Sequence, residues 1–232
     1  MGIDWLEPEA TVRGSVIVIA GRGEHAGVYG RFARRIAIDG YRVSVVDGDL
    51  DASLRTVADA DASLPIVVVG SDSGATAALT VAAAAPAVTG VVVAGLLADS
   101  ALTPSVDWAA ELEIRSACPV HRGVLSSAER LDRGAFQDAA TAVTPESLSA
   151  TTVPVLIVHG SADAISSAEQ VQQLARSLPG ARLVIVDEGR HDILNDVAHR
   201  SVAAEIVQFL ERLRLPGAPD IIHRVPAGVL AR

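Results

Sequence analysis

Six short runs dense in Val and Ile recur along this chain, at residues 15–20, 42–46, 66–70, 91–94, 154–159 and 182–186, each closed by Gly, His or Asp. Amphipathic or Ala-rich stretches separate them, and the periodicity predicts helices over 30–39, 74–85, 167–177 and 200–214. Runs this short and this continuously apolar fit strands buried on both faces. Parallel strands joined by helices are the arrangement that buries them so. The expected fold is therefore α/β, with a mostly parallel central sheet and helices on both faces. No internal repeat is visible.

The pattern changes between residues 99 and 152, where strand-like runs give way to polar, helical sequence broken by Pro104, Pro119 and Pro145. An insertion of that length between two strands reads as a short helical lid over the strand ends, or as an ordinary long crossover. The expected layout is a core of residues 1–98 and 153–214, a lid of 99–152 and an extension of 215–232. That extension is rich in Pro and Gly, and it offers an arm that packs on its own domain or on a second subunit, a route to a homodimer.

With 50% hydrophobic residues and only 3% aromatic ones, the 232-residue chain must build its core from Ala, Val, Leu and Ile. A formal charge of -9 argues against a nucleic-acid partner, which calls for clustered positive charge. All 19 basic residues are Arg, so Schiff-base and lysine-nucleophile chemistry are excluded. A single cysteine, Cys118, rules out an intrachain disulfide and a cysteine-based zinc site, and no His-Glu-x-x-His or similar set predicts any other metal. The opening residues carry acids and Pro8 where a signal peptide needs a basic start and an apolar stretch. The longest apolar run, residues 88–98, is too short to span a bilayer. The expectation is a cytoplasmic protein without a cofactor, acting on a small molecule.

The sharpest motif is Gly70-Ser71-Asp72-Ser73-Gly74, lying between a strand and a helix. A strand, a tight turn with glycines two residues either side of its centre, and a helix make a nucleophile elbow, whose central residue is held in a strained conformation. That register puts Asp72 at the apex, with Ser71 and Ser73 pointing elsewhere.

Three further segments match in the right chain order. Residues 19–29 (IAGRGEHAGVY) are similar to the oxyanion loop of monoacylglycerol-lipase-like hydrolases, with Ala20 where that loop usually has His. Residues 153–163 (VPVLIVHGSAD) resemble the acid turn of the same superfamily, and residues 188–192 (EGRHD) its histidine loop. The chain thus resembles the α/β-hydrolase superfamily over about residues 14–212, by the reading frame of these motifs. The resemblance implies a catalytic set of Asp72, Asp163 as the acid and His191 as the base. It also implies an oxyanion hole made by the backbone N–H groups of Arg22 and Ser73.

An elbow aspartate resembles those of haloalkane dehalogenases and epoxide hydrolases. The expected chemistry is attack of the Asp72 carboxylate on an electrophilic sp³ carbon, then hydrolysis of the alkyl-enzyme ester by water that His191 activates. The resemblance is incomplete, because Ser73 stands where many dehalogenases carry Trp or Arg, and Tyr29 and Tyr41 both lie outside the lid. Trp108 offers one indole N–H to a leaving group or a substrate, or simply anchors the lid. A non-hydrolytic descendant that binds a ligand or assists a cyclisation or rearrangement is the alternative, followed by a serine esterase using Ser71 or Ser73. Glu24 and His25 read as a loop-stabilising pair, His159 as structural and Asp192 as a solvated or capping residue. Gly21-Arg22-Gly23, with Asp47, lacks the third glycine of a dinucleotide site.

Overall fold

The computed structural model describes residues 4–99, 106–127, 129–178 and 180–222. Six strands form one sheet: β1 (Gly14–Ile19), β2 (Tyr41–Val46), β3 (Ile66–Ser71), β4 (Gly90–Ala94), β5 (Val155–Gly160) and β6 (Arg182–Val186). Their spatial order is β2-β1-β3-β4-β5-β6, and every pairing is parallel. Among the described residues two antiparallel bridges lie outside the strand pairings, Leu6 to Val43 at the β2 edge and Glu24 to Leu131. The strand order reverses between β1 and β3, the switch point at whose carboxyl ends ligands bind in open α/β sheets.

Alternate side chains of each strand enter opposite layers. Val16, Val18, Val67 and Val69 pack with Phe32 and Ile36 of α1 (Gly30–Ile38) and with Ile206 and Phe209 of α8 (His199–Leu213). Ile17, Ile19, Val68 and Val93 face the other way, toward Val57 of α2 (Leu50–Asp59), Leu79 of α3 (Ser73–Ala84) and Val171 of α7 (Ala168–Ala175). Two expectations need correction. Helix α2 has no counterpart in the sequence reading, because its buried side chains are Ser53, Thr56 and Val57 and leave little apolar periodicity. Nor are all six strands covered on both faces. Edge strand β6 is half-buried along its length, its partner lying on one side only.

Between β4 and β5 lie α4 (Trp108–Arg115), α5 (Pro119–Leu125), a short 3₁₀ turn at Ala135–Gln137 and α6 (Pro145–Ser149). Pro119 and Pro145 open the helices that follow them, where a missing N–H costs nothing. Pro104 lies outside the described residues. After α8 the chain turns back on its own domain, Arg212 donating to the carbonyls of Ala218 and Pro219. Residues 223–232 of the extension are outside the described set. Among the described residues no helix is long and apolar enough to cross a membrane.

Candidate active site

The elbow is built as its sequence demands. Asp72 sits between β3 and α3 at φ 52 and ψ -120, a left-handed conformation foreign to most non-glycine residues. Its neighbours must be bare for that turn to close. A Cβ on Gly70 would stand 2.0 Å from the Gly74 carbonyl oxygen, and one on Gly74 would stand 2.3 Å from that of Ile19. The Asp72 N–H is held by the Ala94 carbonyl at the end of β4.

From this apex the Asp72 carboxylate meets His191, whose Nε2 lies 3.1 Å from Oδ1. The other ring nitrogen, Nδ1, lies 2.8 Å from Asp163 Oδ2. Asp163 is fixed in turn by the N–H groups of Ile165 and Ser166 on its Oδ1. The three side chains named from the motifs therefore converge into one hydrogen-bonded chain, and all three residues are buried. His159 Nε2 lies 2.8 Å from the Ser166 carbonyl and 3.3 Å from Asp163 Oδ2, a structural position behind the acid.

Arg22 does more than its backbone suggested. Its N–H donates to Asp72 Oδ2 at 2.9 Å, the contact expected of an oxyanion-hole amide. Its guanidinium also grips the same carboxylate, Nε to Oδ2 at 2.8 Å and Nη2 to Oδ1 at 2.8 Å, while Nη1 donates to the carbonyls of Phe136 and Asp138. One arginine thus ties the elbow to the segment between β4 and β5. Ser73 is the first residue of α3, so its N–H lies in the turn where a helix has no internal acceptor. Ser71 ends β3 and is buried.

Burial opposes ionisation of Asp72, but hydrogen bonds from His191 and Arg22 outweigh it and hold the carboxyl well below the usual carboxylate range. Burial likewise opposes the charged form of His191, yet Asp163 and then Asp72 push its pKa up to about 10. The resting pair is therefore carboxylate and imidazolium. Phe136, fully buried, sets its ring edge-on to His191 with centroids 5.5 Å apart, and the guanidinium carbons of Arg22 and Arg115 lie 4.8 and 4.1 Å from its centre. No motif pointed to Phe136. The available signal was its rarity, as one of three Phe in the chain.

Other residues fall elsewhere than expected. Glu24 and His25 do not pair with each other. His25 reaches Asp47 and Asp132 near the surface, whereas buried Glu24 accepts from the Gly21 N–H, the Tyr29 hydroxyl and Arg115 Nη1. Asp192 is buried, not solvated, because His121 Nε2 lies 2.9 Å from its Oδ2 and Arg115 Nη1 3.7 Å from its Oδ1. Burial and the nearby Asp192 push Glu24 up to about 7, against the pull of Arg115, Tyr29 and His121. Glu24, His121 and Asp192 could together reach one cation, but the Arg115 guanidinium already supplies positive charge among these acids. Trp108 opens α4 and packs on the core under Arg133, whose guanidinium carbon is 4.5 Å from its ring centre. Among the described residues its ring touches neither Asp72 nor His191 in any ring contact or hydrogen bond.

Residues 130–221, less than half of the chain, match the family described as TAP-like protein, an α/β-hydrolase family. No curated protein matches the sequence. Among solved structures, the chain is similar to the monoacylglycerol lipase of Paleococcus ferrophilus at 17% identity and TM-score 0.67, covering 92% of this chain and 99% of that one. It is similar to a soluble variant of the monoglyceride lipase of Saccharomyces cerevisiae at 16% identity and TM-score 0.70, covering 90% of each. A lipase-esterase related protein from Clostridium acetobutylicum gives 15% identity and TM-score 0.70, covering 89% of this chain and 99% of that one.

Proposed function

Starting from a chain with the α/β-hydrolase fold and a carboxylate at its elbow, we propose that this protein is a cofactor-independent hydrolase of a small or medium apolar electrophile. The observation that carries the reading is the hydrogen-bonded series Asp72, His191, Asp163, with Asp72 Oδ2 already on the Arg22 N–H. In the first step Oδ1 attacks an sp³ carbon, a C–O bond forms, and the bond to the leaving group breaks as that group departs with its electron pair. The Arg22 guanidinium must release Oδ1 for the attack, and because displacement is in line it has to swing to the far side of the carbon to meet the departing anion. It supplies what neither Ser73 nor the tyrosines offer.

The resting imidazolium is reconciled with base catalysis by the first step itself. Alkylation neutralises Asp72 and so removes one of the two carboxylates that raise His191. His191 then releases its proton to solvent more readily and can take one from water attacking the ester carbonyl carbon, while Asp163 steadies the imidazolium that re-forms. The carbonyl oxygen of the ester lies in the hole made by Arg22 and Ser73. Collapse returns the Asp72 carboxylate and releases the alcohol. Since Asp72 and His191 are 2% and 1% exposed, the segment carrying Phe136 acts as the lid that must move to admit substrate.

The test is a trap. In His191→Gln, the first step survives and the second does not, so intact-mass spectrometry after mixing with short bromoalkanes and epoxides should find a stable adduct, mapped to Asp72. Turnover of any such compound by the native protein with no adduct in the variant contradicts the proposal. One observation favours a second reading: both Asp72 oxygens are engaged by Arg22 and His191 at rest, as in a site that moves a proton rather than forms a bond. A non-hydrolytic rearrangement would leave Asp72 unmodified in the same trap.

A further inference from the structure

A cavity of about 400 Å³ lies between α1, α5 and the loop that follows His191. Its charged lining is wholly basic: Arg31 and Arg34 from α1 and Arg130 from the lid segment, with no Asp or Glu among its walls. In a chain of net charge -9 this is a marked local reversal. None of the three arginines is ion-paired among the described residues. Arg31 donates to the Asn195 carbonyl and to Cys118 Sγ, and Arg130 to the Gly27 carbonyl, so two of the three guanidiniums are held in place by neutral groups.

A second observation is independent of charge. Asn195 lines the same cavity, is only 2% exposed, and its buried Oδ1 has no hydrogen-bond partner. A buried amide oxygen without a partner is rare, because it loses its hydration with nothing in exchange. That oxygen accepts, so it calls for a ligand that brings a hydrogen-bond donor. His121 and Ser127 complete the polar lining.

We propose that this cavity is a binding site for a small phosphate monoester. Guanidinium groups match the paired oxygens of a phosphate, and three of them suit a dianion better than a monocarboxylate. The Asn195 amide oxygen suits a hydroxyl on the ester's organic part, which donates to it, and the volume fits a small metabolite. The site does not depend on the reaction at Asp72, although His121 links the two by its contact with Asp192, the neighbour of His191 in the chain.

Calorimetric titration with phenyl phosphate at fixed ionic strength tests the assignment. Saturable one-site binding is expected, about tenfold or more weaker in the double variant Arg34→Gln/Arg130→Gln. Both arginines are exposed, so the double variant should keep its circular-dichroism spectrum and melting temperature. Benzoate, with the same ring and one charge, should bind about tenfold less tightly than phenyl phosphate. Absence of saturable binding, or an affinity unchanged in the double variant, overturns the site. Benzoate binding as tightly as phenyl phosphate overturns the ligand class.

Discussion

At the scale of single residues, the site depends on one carboxylate that is buried and still charged. Asp72 was legible because the glycines at 70 and 74 are dictated by sterics, and a spacing set by sterics can be read from sequence alone. The Arg22 side chain was not legible, since nothing in the loop's spacing says that a guanidinium turns inward to meet the elbow. The pH dependence of stability follows from the same contact. The folded pKa of His191, about 10, lies above its ordinary 6.5, so its stabilisation is complete below about 6.5 and is lost as pH rises through about 10. Asp72 is shifted the opposite way, so its share is present above its ordinary value of 3.8 and is lost only as pH falls through its lower folded value. Melting temperature should therefore fall between about pH 7 and 10 in the native protein, and less steeply in Asp72→Asn, where His191 keeps only Asp163. Equal slopes would contradict the charge state assigned to the pair.

At the scale of elements, the six strands could be read within a residue or so because Val and Ile runs leave few alternatives, whereas α2 was hidden behind a polar buried face. That helix is capped by Asp49, whose side chain accepts from the Ala52 N–H at 2.9 Å. Asp49→Ala should cost about 1 kcal/mol in urea unfolding with turnover unchanged. The elbow is less forgiving. Gly74→Ala drives a methyl into the Ile19 carbonyl and should cost about 4 kcal/mol or more, or prevent folding, as read by expression and melting. The stretch between β4 and β5 was legible as helical, but the packing of Phe136 was not, since a single Phe leaves no pattern. Phe136→Ala removes the ring that packs on His191, Arg22 and Arg115, and should cost about 3–5 kcal/mol of stability along with activity. An activity loss without any change in stability would mean that the ring serves chemistry alone.

At the scale of the whole molecule, the parallel sheet brings four distant segments together at the carboxyl ends of its strands, and a buried charge network locks them there. Arg115 of α4, fully buried, bonds Glu111 and Glu24 and lies beside Asp192, so it joins the lid to the loops after β1 and β6. Sequence could not give this network, because pairs such as Glu24 and Arg115 meet only once the sheet is assembled. Arg115→Met strands three buried carboxylates and should cost about 3–5 kcal/mol, measured as a lower urea midpoint. The central claim, that Asp72 forms and loses a bond to carbon, is tested most directly in the intact protein. After a single turnover in heavy-oxygen water with protein in excess, mass spectrometry of the peptide holding Asp72 should find the heavy oxygen in its carboxylate. Product carrying the label while Asp72 carries none would contradict the account.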